Sequence, residues 1–490
     1  MATEKTPLTA TASDYESLPT TEAKKRVSVG FVAVVLVFFG ALLALFWPAS
    51  SFSSSPHALA NDHGFFCGLS DYETGYVTLA NKEDDHYFYW YIEASDKAPS
   101  EAPLVMWLTG GPGAPSTLAL LSENGPCLVQ YDGTAKRNPY AWSTAANVIW
   151  LDQPTNVGFS YGSADDADRT GQDVGENIYW FLQGFIKKHP ELDGREFFIT
   201  GESYGGHYVP EAAHAIWQHN KKVNKSENST KDSEYAINLQ GIAIGNGLTD
   251  PIIQSPHYID MVDNDYNITF VNASQLAAMR AAAPECERLM RASQSNLSLW
   301  VEAEEFCTTN LDEPMNAANR NMYDIREYCD KDPPNLCIPT DHIEKYLNRE
   351  SVRELLHVSK RAGAWEMVNM DVNMAFTLSG DVVLSYSSFV ADMLNDDIRV
   401  LIYAGDADLT CNWYGNQAWT KALEWDGKTD FNAAQERIYT TDAGVRAGVV
   451  RSFQRRLTFL RVFNAGHMVP QHQPQVALDM LTKFLTNQEL

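Results

Sequence analysis

Basic residues are scarce in this chain: 37 Lys and Arg stand against 63 Asp and Glu, a net charge of −26. Binding to nucleic acid or to an anionic membrane surface rests on clustered positive charge, so neither is an expected partner. Such acidity suits solubility in an acidic lumen, where some carboxylates are protonated. Metal motifs are missing too. There is no H-E-x-x-H, the histidines are scattered, and Asp263-Asn264-Asp265 lacks the glycine and distal glutamate of a calcium loop. No metal is expected. Neither a phosphate loop with Gly-Lys-Ser/Thr nor a G-x-G-x-x-G occurs, and no cofactor is expected. Internal repeats are absent. Cysteines number seven, so an oxidising compartment leaves at least one unpaired.

At 490 residues and 44% apolar content the chain can bury a large core. Apolar strands are expected at Tyr87–Ile92, Leu104–Leu108, Asn147–Leu151, Phe197–Thr200, Leu239–Ile244, Arg399–Tyr403 and Leu457–Phe463, with helical patterns between. That alternation is the α/β signature. It breaks down from about Ile252 to Cys337 into polar, helix-like segments that hold four of the seven cysteines. This stretch reads as a cap inserted over an active site, dividing a core of residues 63–251 and 338–490. Residues 221–235, rich in Lys, Asn and Ser, read as an exposed loop.

One pentapeptide stands out: Gly201-Glu202-Ser203-Tyr204-Gly205. A strand precedes it, and Gly206-His207-Tyr208-Val209-Pro210 reads as the opening of a helix with Pro in its first turn. Strand, sharp turn and helix lift a serine hydroxyl out at the tip of a sheet. The hydroxyl needs a base, and the base an orienting carboxylate, in the chain order Ser, acid, His. Arg399–Tyr403 runs into Ala404-Gly405-Asp406-Ala407-Asp408, a loop with two candidate acids, and Leu457–Phe463 runs into Asn464-Ala465-Gly466-His467-Met468. Ser203 is therefore the expected nucleophile and His467 the base. Oxyanion donors are expected at the Tyr204 N–H and in the turn Thr109-Gly110-Gly111-Pro112-Gly113, where glycine leaves the backbone unobstructed.

Seven blocks in order carry a resemblance. They are Trp107-Leu108-Thr109-Gly110-Gly111-Pro112-Gly113, Glu123-Asn124-Gly125-Pro126, Leu151-Asp152-Gln153-Pro154 with Val157-Gly158-Phe159-Ser160-Tyr161, Gly201 to Tyr208, Ile244-Gly245-Asn246-Gly247, Tyr403 to Asp408, and Gly466-His467-Met468-Val469-Pro470. From about residue 65 to the C-terminus the chain resembles the serine carboxypeptidases of vacuoles and lysosomes. The resemblance implies an α/β-hydrolase fold, with a mixed, mostly parallel sheet and a helical cap. It also implies release of C-terminal amino acids from peptides and proteins through an acyl-enzyme. It assigns Ser203, Asp408 and His467 to the triad, and Gly111 and Tyr204 to the oxyanion hole. Trp107, Thr109, Gly110, Glu123 and Glu202 match the positions that hold the substrate's terminal carboxylate, and Met468 matches a wall of the pocket for the last side chain. Two departures stand out. Thr109 replaces an asparagine common in relatives, and Ala114 and Val368 replace a cysteine pair.

Two carboxyls side by side cannot both ionise cheaply. If Glu123 lies beside Glu202, at least one pKa rises, and a protonated carboxyl can donate to a peptide's terminal carboxylate. That predicts acid-optimal activity. Glu202 near the next helix's N-terminus also invites a simple dipole role.

The resemblance implies a bridge between Cys329 and Cys337. The other two cap cysteines, Cys286 and Cys307, and the core pair Cys67 and Cys127 are expected to close on each other. Cys411 is left as the free thiol, where relatives also keep an unpaired cysteine.

Near the N-terminus, residues 27–47 are an uncharged apolar run preceded by Lys24-Lys25-Arg26. The run is long enough to span a bilayer with residues 1–26 cytosolic, which makes a type II signal anchor. A cleaved signal peptide with a site at Ala58-x-Ala60 is the alternative. Tyr15-Glu16-Ser17-Leu18 fits a lysosomal or vacuolar sorting signal, and residues 48–62 a linker. Sequons at Asn224, Asn228, Asn267, Asn272 and Asn296 fit a glycosylated lumenal surface. Competing functions on the same scaffold are an acyltransferase or lyase, and an added non-catalytic protective role. The sequence leaves the oligomeric state open, a homodimer included.

Overall fold

A computed structural model of the chain describes residues 65–69, 71–223, 234–329 and 337–490. Among them no helix is long and apolar enough to cross a membrane. The tail, apolar run and linker expected over residues 1–62 lie outside the described residues, as do the sequons Asn224 and Asn228.

An eleven-stranded sheet forms the frame. Ten of its strands are β1 (Tyr72–Thr78), β2 (Asp85–Ile92), β3 (Leu104–Leu108), β4 (Asn147–Leu151), β5 (Phe197–Glu202), β6 (Leu239–Gly245), β7 (Arg399–Gly405), β8 (Arg437–Thr440), β9 (Arg446–Phe453) and β10 (Leu457–Val462). Their spatial order is β1-β2-β4-β3-β5-β6-β7-β10-β9-β8, and the short strand Tyr161–Gly162 pairs with β2. From β4 to β10 every neighbouring pair is parallel, while both flanks are antiparallel.

The central strands read as unbroken apolar runs because both faces are covered. Leu104, Met106 and Leu108 of β3 enter one core, whereas Val105 and Trp107 enter the other. Val400 and Ile402 of β7 point to the first core and Leu401 and Tyr403 to the second, as the two-residue period of a strand demands. Helices follow from the connections, among them α1 (Ser116–Ser122), α2 (Gly171–Lys188), α3 (Gly205–Val223), α4 (Ala273–Ser293), α5 (Trp300–Cys307), α6 (Met370–Ser379) and α7 (Pro474–Leu485), with further helices such as Ser387–Asn395 and Trp413–Ala422 between. α2 and α3 feed the first core, and α1 and α7 the second. α3 starts at Gly205, so Pro210 lies in its second turn rather than its first. The helix begins immediately after the elbow, which moves the proline one turn inward.

Between β6 and β7 the chain leaves the sheet. Residues from Pro251 onward, including α4 and α5, build a third apolar cluster around Met261, Met279, Cys286, Leu289 and Cys307 that also takes in Ala407 and Leu409. Helical segments continue through Asn395, and the sheet resumes at Arg399. The bonds Cys67–Cys127, Cys286–Cys307 and Cys329–Cys337 are formed, and Cys411 is free and buried.

Thr170 caps α2 with a reciprocal box: its side chain accepts from Asp173 N, and the Asp173 carboxylate accepts from Thr170 N. Thr170→Ala is expected to cost about 1 kcal/mol. A chemical-denaturation midpoint lowered with unchanged slope is the result that checks it.

Candidate active site

Six parallel strands deliver their carboxyl ends to one edge of the sheet, where open α/β sheets place their ligands. After β5 the backbone turns sharply at Ser203, whose φ of 63° puts a residue with a side chain in the left-handed region. Ser203 N donates to Gly245 O at 3.2 Å, and Ser203 O accepts from Gly206 N and Leu248 N, both at 2.9 Å. Three bonds thus hold the strained turn.

The loop after β3 lies directly on this elbow. A Cβ on Gly110 would stand 2.2 Å from Tyr204 N and 2.9 Å from Ser203 Cβ, so the approach requires glycine. Gly111 follows with φ of 108°. Among the described backbone hydrogen bonds, neither Gly111 N nor Tyr204 N donates to another residue.

β7 and β10 carry the other two groups. His467 Nδ1 is 2.8 Å from Asp408 Oδ2. A carboxylate only accepts, so Nδ1 carries the proton and Nε2 is left as the basic nitrogen. Asp408 is fully buried. Its Oδ2 also accepts from Asn246 Nδ2 at 2.8 Å and Cys411 N at 3.2 Å, and its Oδ1 from Thr410 N at 3.1 Å. The other acid of the loop is engaged elsewhere: Asp406 accepts from Tyr266 Oη and Asn464 N and faces Arg461. His467 is held by its own N–H, which donates to Tyr323 O at 2.7 Å, and by the Tyr323 ring standing edge-on at 5.1 Å.

Beside the elbow, Glu123 and Glu202 are 2% and 3% exposed and share a hydrogen bond. Burial pushes the Glu123 carboxyl up to about 7. Burial, and then the adjacent Glu123, carries Glu202 well above the ordinary carboxyl range. Trp107 Nε1 donates to Thr109 Oγ1 at 2.9 Å, so the threonine hydroxyl keeps its own hydrogen to give away. Asn138 Nδ2 donates to the Glu123 carbonyl at 3.2 Å.

Two cavities border this cluster. One, of about 380 Å³, runs beside α1, the helix that ends at Glu123, and is lined by Leu118, Ser122, Tyr323, Ile343 and Met468. The other, of about 320 Å³, is lined by Gly111, Pro112, Tyr204, Tyr258 and Cys411. Burial first, then Asp408, pushes the Cys411 thiol well up, so it stays neutral. Ala114 and Val368 leave no covalent tie, yet their neighbourhoods meet: Asn369 N donates to Gly113 O at 2.9 Å and Asn373 Nδ2 to Pro112 O at 3.0 Å. Asn267, Asn272 and Asn296 are exposed, and the Asn272 side chain also caps α4.

Asn246 and Tyr323 were not singled out by sequence reasoning. Asn246, at φ 40°, bridges Asp408 and Gly405 N. Its place after β6, between two glycines, was the available signal. Tyr323 sits in the turn between the short antiparallel strands Arg320–Asn321 and Asp324–Tyr328, with no such mark.

A largely parallel sheet with an elbow serine and a paired acid and histidine at its carboxyl edge defines the α/β-hydrolase class. Within that class, residues 69–487 match the serine carboxypeptidase family model, and the chain belongs to this family. It is 40% identical over 415 residues to carboxypeptidase Y homolog A of Sclerotinia sclerotiorum, covering 84% of this chain and 72% of that one. Identity to the protein of the same name from Botryotinia fuckeliana is 39% over 417 residues, covering 84% and 72%. A solved prohormone-processing carboxypeptidase from Saccharomyces cerevisiae superposes with a TM-score of 0.73 at 25% identity, covering 85% of this chain and 91% of that one. The protein is a serine carboxypeptidase, a hydrolase acting on peptides.

Gly110→Ala is expected to displace the elbow and lower kcat by about a hundredfold, the scale of a misplacement near 1 Å. Steady-state kinetics beside a thermal melt checks this; unaltered kcat refutes the close-approach argument.

Proposed function

We propose that Ser203 attacks the carbonyl of the last peptide bond, with His467 taking its proton and Asp408 holding the imidazole in the required tautomer. The Gly111 and Tyr204 N–H groups stabilise the developing oxyanion. The leaving amino acid takes a proton back from His467, and water then releases the acyl group by the reverse path. Trp107, Thr109, Gly110, Glu123 and Glu202 bind the substrate's terminal carboxylate, Met468 walls the pocket for the last side chain, and residues 252–337 cap the site.

The observation that carries this reading is the buried Glu123–Glu202 pair beside the elbow. An ionised pair would repel a C-terminal carboxylate, whereas a protonated one donates to it. Glu202 donates to Glu123, and Glu123 holds a proton below about 7. An acidic lumen, vacuolar or elsewhere in the secretory pathway, supplies that protonation and tolerates the three disulfides.

Ser203→Ala is expected to remove turnover on the order of a millionfold with the fold intact, because triad members act as a unit. Undiminished hydrolysis by the purified variant refutes the mechanism.

The pair also sets a pH dependence. Its folded-state values are raised, so the donating form is present below about 7 and lost as pH rises through it. For peptides with a free C-terminus, kcat/KM should fall about tenfold per pH unit above that point. For the matching esters it should persist. Superimposable profiles for the two substrate types exclude the carboxyl pair as the carboxylate site.

A further inference from the structure

The cavity that touches Gly111 and Tyr204 also contains two acids with no task in the mechanism. Glu304, on α5, and Asp312, at the end of the helical turn Thr308–Asp312 that follows it, both line this cavity. Among the described residues neither side chain accepts a hydrogen bond or forms an ion pair, and Asp312 Oδ1 is buried without a partner. Burial first, then repulsion from Glu304, pushes the Asp312 carboxyl well above its ordinary range, and burial raises Glu304 too. A hydrocarbon side chain would fill the same wall without that cost. The rest of the lining mixes apolar Leu248, Met290, Met322 and Val382 with uncharged polar groups such as Gln254, Ser255, Asn316 and Thr410. A cavity with apolar wall residues, otherwise uncharged polar groups and two unpaired carboxyls is complementary to a long aliphatic stem with a cationic head.

The position of the cavity decides which substrate residue it meets. Glu123 and Met468 belong to the other cavity's side, where the leaving amino acid goes in the reading above. Gly111 and Tyr204 flank the carbonyl, so the cavity they border lies on the acyl side. Acids occur in the other cavity as well, but they have partners. Asp324 is bonded to Arg326 and faces His472, and Glu327 accepts from Asn321. Among the described residues the acyl-side pair has neither a hydrogen-bond donor nor a counter-charge, whereas each acid of the other cavity has a partner.

We propose that this cavity receives the penultimate side chain of the substrate and selects lysine or arginine there, with Glu304 and Asp312 as specificity-determining residues. The inference rests on the proposed site, in which Ser203, Gly111 and Tyr204 surround the scissile carbonyl. The stem lies along Leu248 and Met290, and the ammonium or guanidinium pairs with the two carboxyls. Binding a cation relieves both the repulsion between the acids and the missing partner of Asp312.

The test uses the full-length enzyme and N-blocked dipeptides that share one C-terminal residue and carry Lys, Arg, Met or Glu before it. At a mildly acid pH, kcat/KM for Lys and Arg is expected to exceed that for Met by about tenfold or more, as a desolvated charge pair allows, with Glu poorest. In Glu304→Gln/Asp312→Asn the Lys-to-Met ratio should fall close to one. Asp312→Lys should raise the Glu peptide above the Lys peptide. Thermal melts report folding of each variant, and the single Glu304→Gln replaces the double variant if that one fails to fold. A wild-type enzyme that cleaves all four peptides but prefers Met overturns the inference, as does a ratio unmoved by the substitutions. A wild-type enzyme that cleaves none of the four overturns the site reading beneath it.

Discussion

Everything at the catalytic edge depends on two backbones lying closer than side chains permit. The loop after β3 touches the elbow after β5 at Gly110, where a Cβ would come within 2.2 Å of Tyr204 N. Because of that contact, Gly111 N and Tyr204 N belong to one small region without any flexible side chain acting as donor. Backbone donors fixed by a parallel sheet need little reorganisation when charge develops, and this accounts for most of their value. The strain of Ser203 at φ 63° is borne by the same contact and by the bonds to Gly206, Leu248 and Gly245. Sheet and site are therefore one object.

Electrostatically the site is costly, and the costs have a pattern. Asp408 receives four donors, counting the imidazole, so its charge is well accommodated despite full burial. Glu123 and Glu202 receive almost none: Oε2 of each is buried without a partner. Carboxyls in one site thus have contrasting surroundings: burial and mutual proximity raise the two glutamates, while Asp408 is ringed by donors. In the proposed mechanism this contrast is required, because the base needs a charged orienter and the substrate's carboxylate needs a neutral host.

Much of this was legible in the sequence. The seven expected strands occur within one or two residues of their expected ends, because buried parallel strands announce themselves as apolar runs. β1, β8 and β9 went unseen. Tyr72–Thr78 carries a glycine and polar residues suited to a half-covered antiparallel strand, and Arg446–Phe453 opens on charge and glycine. Of the two acids after β7, spacing could not choose. The structure separates them by partners: Asp408 meets His467, while Asp406 goes to Tyr266 and Arg461. Asn246 was hidden because its contribution is a side-chain bridge between two loops, which no local pattern encodes. Tyr323 was hidden because it stands in the turn of a hairpin whose first strand is only Arg320–Asn321, too short to show a period. The helical excursion after β6 was visible only as a failure of alternation, so its continuation through Asn395 could not be bounded from composition.

That excursion supplies the part of the cavity walls that does not come from the sheet edge. Loops at strand ends are fixed by the sheet, so the reacting groups have little freedom to vary. The walls of both cavities come largely from elsewhere: Tyr323 and Ile343 on one side, Tyr258, Met290, Glu304 and Asp312 on the other. The bond Cys286–Cys307 ties α4 to α5 in the second wall, and α4 packs into the cluster that includes Ala407 and Leu409, next to Asp408. Under the proposed mechanism, a substitution in this layer would change which side chain is received without touching the supports of Ser203, Asp408 and His467. In the proposed reading, chemistry resides in the sheet edge and selectivity in the helices that line the cavities. The two are joined mainly through the loop of Ala407 to Cys411, which borders both.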